Sequence, residues 1–503
     1  MSDNSASLPF STKFLYGFGS IAYGIKDNAF AYFLLFVYVQ VFGLAPNLAG
    51  LAILVMLVFD AISDPLIGYL SDNTHSRWGR RHPYIYGSVL PVALTFFLIW
   101  DPPAGLSQNE LFWYLLLVGV GIRTAITIYE IPSSALGPEL TQDYVERSSL
   151  LAYRNWFGWW GGLAMWNLLW IFVVVSSRNG TQDARYLPET WVLYGIGCSI
   201  VMAIAIMVTG VGTHRHIPDL HVPKAASDQA QRSNFFKGLW RTLTVSKNYR
   251  ILFIAMIVCW GASGLATNLT LFFYSFFWEL KPINILTIGV SLFLAPLVSL
   301  KAAPMLAASI GKKRTALTFF TASMIIENLL LLLRVLDVLP ENGTTALISF
   351  VLAFHWMGVC CVIIATVTVA SMVFDTVEEV ELVTKTRMEG TLLAARSFAQ
   401  KCMSGLGAFS AGLILQIAAW PEDARAGFVE QATLNTVATA AIVASVLLWT
   451  TGIWLVSLVD ANQESHNERL RNLAGANDAS WSRRQYLVAT EAFLRDPLAS
   501  CVH

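Results

Sequence analysis

The chain has 503 residues, of which 55% are hydrophobic and 13% charged, and its formal net charge is zero. A soluble protein carries charge nearer ~25%, so composition marks a membrane protein, and the balanced charge suggests no nucleic-acid partner. Of the six cysteines, Cys198, Cys259, Cys360, Cys361 and Cys402 fall in apolar segments and read as packing residues, not a disulfide framework; the sixth is Cys501.

The start, MSDNSASLPFSTKF, is polar and leads into a long span, which does not match a cleavable signal peptide. Apolar runs of about 20 residues or more predict twelve membrane helices. They lie near 14–42, 47–72, 84–101, 110–137, 149–176, 190–213, 249–278, 284–309, 315–338, 344–373, 391–420 and 431–459. This all-α pattern predicts a six-helix bundle over 1–213 and a central loop over 214–247. A second six-helix bundle follows over 248–460, with a polar tail over 461–503. With both ends cytoplasmic, the inner loops hold Arg77, Arg80, Arg81, Arg147, Lys312, Lys313, Arg314, Lys385 and Arg387, and the central loop adds six more basic residues, Arg215 to Lys247. The outer loops hold only Arg178, Arg185, Lys281 and Arg425. That asymmetry sets the orientation. The sequon Asn179-Gly180-Thr181 falls in an outer loop.

The second helix carries Asp60 and Asp64 inside an apolar run. Four residues apart, they share one helix face. A carboxylate at mid-membrane costs roughly 2.5–3.5 kcal/mol on insertion scales, so a cation, a proton or a basic side chain must neutralise the pair. Asp60 lies about 20 Å from the outer end of its helix, close to midplane. Lys401 lies about 15 Å into the eleventh helix, also close to midplane. Thr127 and Glu130 share a face of the fourth helix, and Arg154 enters the fifth. These groups can converge on one mid-membrane cavity. Two carboxylates and a hydroxyl supply charge and oxygen ligands for Na⁺; without a metal, one carboxylate would hold a proton, which could couple transport equally well. The other reading is static pairing with Lys401 or Arg154.

Glu130 also sits seven residues from Arg123, a possible salt-bridge partner, and Glu327 is seven from Arg334, another expected pair. His355 either lines the cavity or bonds a neighbour. The tryptophans Trp156, Trp159, Trp160, Trp166 and Trp170 read mainly as packing and interfacial anchors. The loop from Asp72 to Arg81 is expected to gate. Its Arg77, Arg80 and Arg81 would pair with Glu139, Asp143 or Glu146, and Asp375 to Glu381 would do the same with Lys312 to Arg314. The alternative is solvated charge near headgroups.

Four stretches, in order, resemble one family. They are Asp60-Ala61-Ile62-Ser63-Asp64-Pro65 with Ser76-Arg77-Trp78-Gly79-Arg80; Tyr16-Gly17-Phe18-Gly19 with Phe42-Gly43-Leu44; Glu130-Ile131-Pro132 through Glu146-Arg147 and Tyr153-Arg154; and Asp375, Glu378 and Arg387-Met388-Glu389-Gly390 before Lys401. They are similar to the melibiose-permease-like glycoside-pentoside-hexuronide:cation symporters of the major facilitator superfamily. The resemblance implies a major facilitator fold, alternating access and function as a monomer. It implies a cation site at Asp60, Asp64 and Thr127, and sugar-hydroxyl binding by Glu130 and Arg154. Lys401 would neutralise the acidic cluster and move between partners. At the family's acidic position in the first helix stands Gly24, so Asp27 or Asn28 would serve instead. Ser134 and Thr366 stand where stacking aromatics are expected, with Trp356 higher in the tenth helix as substitute, and this leaves the sugar open. Ser63 replaces an asparagine, which leaves Na⁺ versus H⁺ open.

The expected function is symport of a glycoside with Na⁺ or H⁺ and no further cofactor. No phosphate-cradling loop points to ATP, and no nucleophile–base arrangement points to an enzyme. Two alternatives are an amphipathic, lipid-like cargo and a non-transporting sensor with a transporter fold.

Overall fold

The computed structural model describes residues 8–141, 143–179, 183–220, 246–384, 389–422 and 424–459, and all their regular structure is helical. The tail at 461–503, residues 221–245 of the central loop, Gly180 and Thr181 of the sequon, and Lys385 and Arg387 lie outside the described residues, as do the side chains of Glu378 and Arg396.

Among the described residues, twelve rods run back and forth. The first, α1, is built from Phe10–Phe18, Ser20–Asn28, a π-helical turn at Ala29–Phe33, and Leu34–Gln40. Then come α2 (Pro46–Asn73), α3 (His82–Ile99), α4 (Gln108–Leu140), α5 (Tyr144–Asn179) and α6 (Pro188–His214). The second set begins with α7, Lys247–Phe272 continued by a π turn at Phe273–Phe277, and α8, Pro282–Ser291 and Leu294–Ile310. It ends with α9 (Lys312–Val335), α10 (Thr345–Thr384), α11 (Glu389–Ile417) and α12 (Gln431–Ser457). Among the described residues, ten helices are long and apolar enough to cross a bilayer. Outward faces carry exposed apolar side chains such as Leu90, Leu117 and Ile200, as lipid contact requires.

The two sets of six make the same pairings. In the first, α1 packs on α5 and α6, α2 on α4, and α3 on α4 and α6. In the second, α7 packs on α11 and α12, α8 on α10, and α9 on α10 and α12. The repeat extends to single residues. The amide of Leu44 donates to the carbonyl of Tyr38, and that of Leu280 to the carbonyl of Tyr274. Gly43 (φ 72°) and Glu279 (φ 47°) both turn the chain through the left-handed region, and Pro46 and Pro282 open the next helix. Each pair is offset by the same number of residues. An L residue strains at positive φ, so this turn is comfortable in the first half and strained in the second.

Between the halves, α2 meets α11, α5 meets α8, and α1 meets α7. The contact is tight at the end carrying Pro46. A Cβ on Gly412 would stand 2.2 Å from the Pro46 carbonyl oxygen, and one on Gly50 would stand 2.9 Å from the Ala408 carbonyl oxygen. At that end Gln40 donates to the Ala424 carbonyl at 2.8 Å, accepts from the Trp420 indole at 3.1 Å, and Phe276 meets Trp420 edge-on. Farther along, the seam opens. Among the described residues, a Cβ on Gly68 of α2 would meet only Ile131 of its own half within 4 Å. The Pro282–Ser291 part of α8 reaches α5, whereas the Leu294–Ile310 part packs chiefly on α9 and α10. One end is therefore shut and the other parted.

Candidate ion-coupling and solute site

Asp60 and Asp64 lie where the α2–α11 seam begins to part. Lys401 of α11 reaches across from the other half, its Nζ 3.0 Å from Asp60 Oδ2 and 2.6 Å from Asp64 Oδ2. Thr127 Oγ1 on α4 lies 2.9 Å from Asp60 Oδ1 and 3.1 Å from Asp64 Oδ1. A hydroxyl has one proton, so it donates to one carboxylate at a time, and three oxygens gather around one point. Arg123, one turn before Thr127 on the same face, completes the cluster at 3.3 Å from Asp60 Oδ2. Its guanidinium lies 4.4 Å over the ring of Phe30, in the π turn of α1.

Two anions thus face two cations, and access divides them. The side chain of Asp60 is 1% exposed; those of Asp64 and Lys401 are 18% and 15% exposed. Asp60 is sealed, and the Asp64–Lys401 contact can be reached by solvent. Ser63 is turned away, its hydroxyl donating to the Asp60 carbonyl at 3.0 Å. Neither predicted compensation was complete. Lys401 does bind both aspartates, but Arg154 does not join them, and Arg123, a possible partner for Glu130, goes to Asp60 instead.

A second cluster lies along α1. Lys26 Nζ is 2.8 Å from Asp27 Oδ1 and 3.7 Å from Glu130 Oε2. Lys26 is 2% exposed, Asp27 58% and Glu130 29%, so the carboxylates face open space and the ammonium backs them from within. Gly24 carries no acid for a steric reason: a Cβ there would stand 1.9 Å from the Gly158 carbonyl oxygen of α5. Asn28 is committed to α1 itself, donating to the Gly24 carbonyl at 3.1 Å. Arg154 is buried between Tyr16 and Tyr23, 5.4 and 5.6 Å from their ring centres, and donates to Ser133 Oγ at 3.2 Å. It braces α5 against α1 and α4 and does not face the solute cavity as expected. Trp356 is not among the residues lining the cavity between the halves; one residue earlier on α10, His355 is. A step of about 100° per residue turns the tryptophan off that face.

The loop after α2 converges on one acid. Glu139 Oε1 accepts from Arg80 at 2.8 Å and Arg81 at 2.9 Å, and Arg81 also holds Asp72 and Ser71. Asp143 and Glu146 do not take part. Asp143 Oδ1 accepts from the Glu146 amide at 2.8 Å, and Glu146 pairs with Lys13 of α1 at 2.9 Å. Arg77 lies over Trp78, 5.6 Å from its ring centre. Asp143 precedes α5 and Glu146 lies in its first turn, where Glu146 meets α1 rather than the loop. In the second half Lys312 pairs with Asp375 at 2.8 Å, as expected. Glu139 and Asp375 are equivalent in the repeat, so each half carries the same tie. The predicted Glu327–Arg334 pair does not form; Glu327 accepts from Ser323, and Arg334 donates to the Pro340 carbonyl.

Sequence reasoning gave Lys26 no role and named Glu130 as a possible partner of Arg123, where the structure has Asp60. The usable signal was the rule that an ionisable side chain inside a membrane has a function and a partner.

A family model described as MFS/sugar transport protein matches residues 15–462. The uncharacterized symporter YnaJ of Bacillus subtilis is 24% identical over 93% of this chain and 94% of its own length. The isoprimeverose transporter of Lactiplantibacillus pentosus is 23% identical, covering 81% and 80%. The sodium-dependent lysophosphatidylcholine symporter 1-A of Danio rerio is 34% identical, but over only 28% of this chain and 27% of that one. Among solved structures, the nucleoside transporter NupG superposes with a TM-score of 0.58 at 13% identity, covering 90% of this chain and 99% of that one.

Proposed function

This chain belongs to the MFS/sugar transport family, and from that premise we propose that it couples Na⁺ or H⁺ entry to uptake of a glycoside or related sugar by alternating access. It is a multi-pass membrane transporter of the symporter type and not an enzyme. The proposal places both termini in the cytoplasm, on the basic-residue asymmetry, and takes the protein as a monomer in the plasma or inner membrane.

One observation carries the coupling reading. Lys401 bridges both aspartates across the two halves, at the point where their seam parts and solvent arrives. A cation entering among Asp60 Oδ1, Asp64 Oδ1 and Thr127 Oγ1 adds a positive charge to a cluster already balanced by Arg123 and Lys401. At close range in a low dielectric, like charges repel strongly, so cation and ammonium exclude each other there. Binding the cation releases Lys401 from α2 and frees its three donors for the solute. It also loosens a tie between the halves, which favours rearrangement. Asp27 and Glu130, backed from within by Lys26, offer charge-assisted hydrogen bonds to adjacent sugar hydroxyls. Arg154 acts behind them by holding α1 and α5 together.

The decisive assay is uptake in proteoliposomes over a glycoside panel that includes isoprimeverose. Native protein is expected to accumulate one of them under an imposed Na⁺ or proton gradient. Asp64→Asn is expected to cut accumulation by about tenfold or more, the loss of one charge-assisted ligand. Uptake that ignores both gradients and survives the substitution overturns the coupling, and absence of all uptake favours the sensor reading. The second transport reading, an amphipathic lipid-like cargo, is favoured by likeness to the lysophosphatidylcholine symporter; lysophosphatidylcholine run in the same assay decides between them.

A further inference from the structure

At the junction of the halves lies a cavity of about 290 Å³, near the lower end of the range for ligand pockets. Tyr32 of α1 and Trp159 of α5 form one side, and α7, α9, α10 and α12 form the rest. None of the residues assigned above to solute or cation lines it.

Two polar groups in its wall are unsatisfied. Glu327 of α9 accepts from Ser323 Oγ at 3.0 Å through Oε1, and its buried Oε2 has no partner. The buried hydroxyl of Tyr274, in the π turn of α7, has none either. Glu327 makes no ion pair among the described residues, unlike Asp27, Asp60, Asp64 and Glu130. A buried acceptor and a buried donor left open are both costly, and a ligand hydroxyl satisfies either one. Tyr32 and Trp159 supply flat apolar faces beside them, and the edge of His355 closes on the Tyr274 ring at 5.7 Å. An alkyl chain would leave the polar pair unmatched.

We propose that this cavity is a second solute subsite, taking a polyhydroxylated ring whose hydroxyls donate to Glu327 and accept from Tyr274. The proposal rests on the glycoside reading and extends it. Tyr32 lies five residues beyond Asp27 on α1, a rise of about 7.5 Å. The open carboxylates of Asp27 and Glu130 therefore hold one end of the solute, and the cavity takes the neighbouring ring of the same molecule.

The test is calorimetric titration of the purified full chain with isoprimeverose, a two-ring sugar, and with methyl xyloside, a one-ring control. Tyr274→Phe removes only a hydroxyl, and Glu327→Leu removes the carboxylate. Each is expected to weaken isoprimeverose binding about tenfold and leave methyl xyloside within about twofold. Both variants should unfold at or above the native temperature, since each deletes an unsatisfied group, and this separates lost binding from lost folding. If both variants bind isoprimeverose as the native protein does, or weaken both sugars equally, the subsite is refuted while the symporter reading stands. If native protein binds lysophosphatidylcholine and neither sugar, the glycoside reading falls and the subsite with it.

Discussion

Asp60 and Asp64 differ in their surroundings more than in their chemistry. Asp60 is sealed and held by two cations, so its charge is part of the structure; Asp64 shares Lys401 and meets solvent, so its charge is free to change partners. Removing the permanent partner should therefore hurt folding, and removing the exchangeable carboxylate should hurt coupling. Arg123→Leu leaves Asp60 with one cation fewer in a buried site, a loss of about 3–5 kcal/mol by analogy with other broken buried pairs. Thermal unfolding of the detergent-solubilised variant should show a clear drop; an unchanged melt would mean that Lys401 alone suffices. Trp356→Phe, on a face turned away from the cavity, should leave solute affinity within about twofold in the same titration.

Helix shape aims the side chains. α1 and α7 each contain a π turn, at Ala29–Phe33 and Phe273–Phe277, about two helical turns out of register in the repeat. Such turns insert a residue into the helix and recur at functional sites. Here they set Phe30 under Arg123, Tyr32 in the cavity wall and Tyr274 opposite it. Glycines then set how closely the helices approach. With its missing Cβ only 2.2 Å from the Pro46 carbonyl, Gly412 lets α11 lie directly on α2. Gly412→Val cannot fit without parting the shut end, so it should raise the population open at that end. Labelling of a cysteine placed at Gln40 by a membrane-impermeant thiol reagent should become faster in this background; equal labelling would show that the helices shift without opening.

Across the whole molecule, the duplicated ties occupy equivalent places but different environments. Arg81 and Glu139 are 4% and 3% exposed, whereas Lys312 and Asp375 are 37% and 29% exposed in their side chains. Burial decides what each is worth. Glu139→Gln leaves the buried Arg81 guanidinium with Asp72 as its one acid and should cost up to about 3–5 kcal/mol. Asp375→Asn breaks a solvated pair and should cost less than about 1 kcal/mol. Parallel melts of the two variants check the contrast. Similar losses would mean that the repeat is energetically symmetric, which the burial argues against. The halves share a backbone plan but not a charge plan: the coupling cluster belongs to α2 and α4, and among the described residues only Lys401 crosses to meet it.

Span number and the family were legible along the chain, because hydrophobic runs and motifs are local and lipid leaves a backbone little choice but the helix; α10, read as ending near 373, runs on to Thr384. The pairing of Lys401 with both aspartates could be anticipated too, since few charges share that depth. Which cation served which acid was settled only by the packed structure. Arg123 could turn toward Glu130 or Asp60 from the same helix face, and the closeness of α2 decided for Asp60. Likewise Glu327 looked like half of a salt bridge until the bundle placed Arg334 at a loop carbonyl and left one carboxylate oxygen open. Spacing says which residues share a face; only the neighbouring helix says what that face meets.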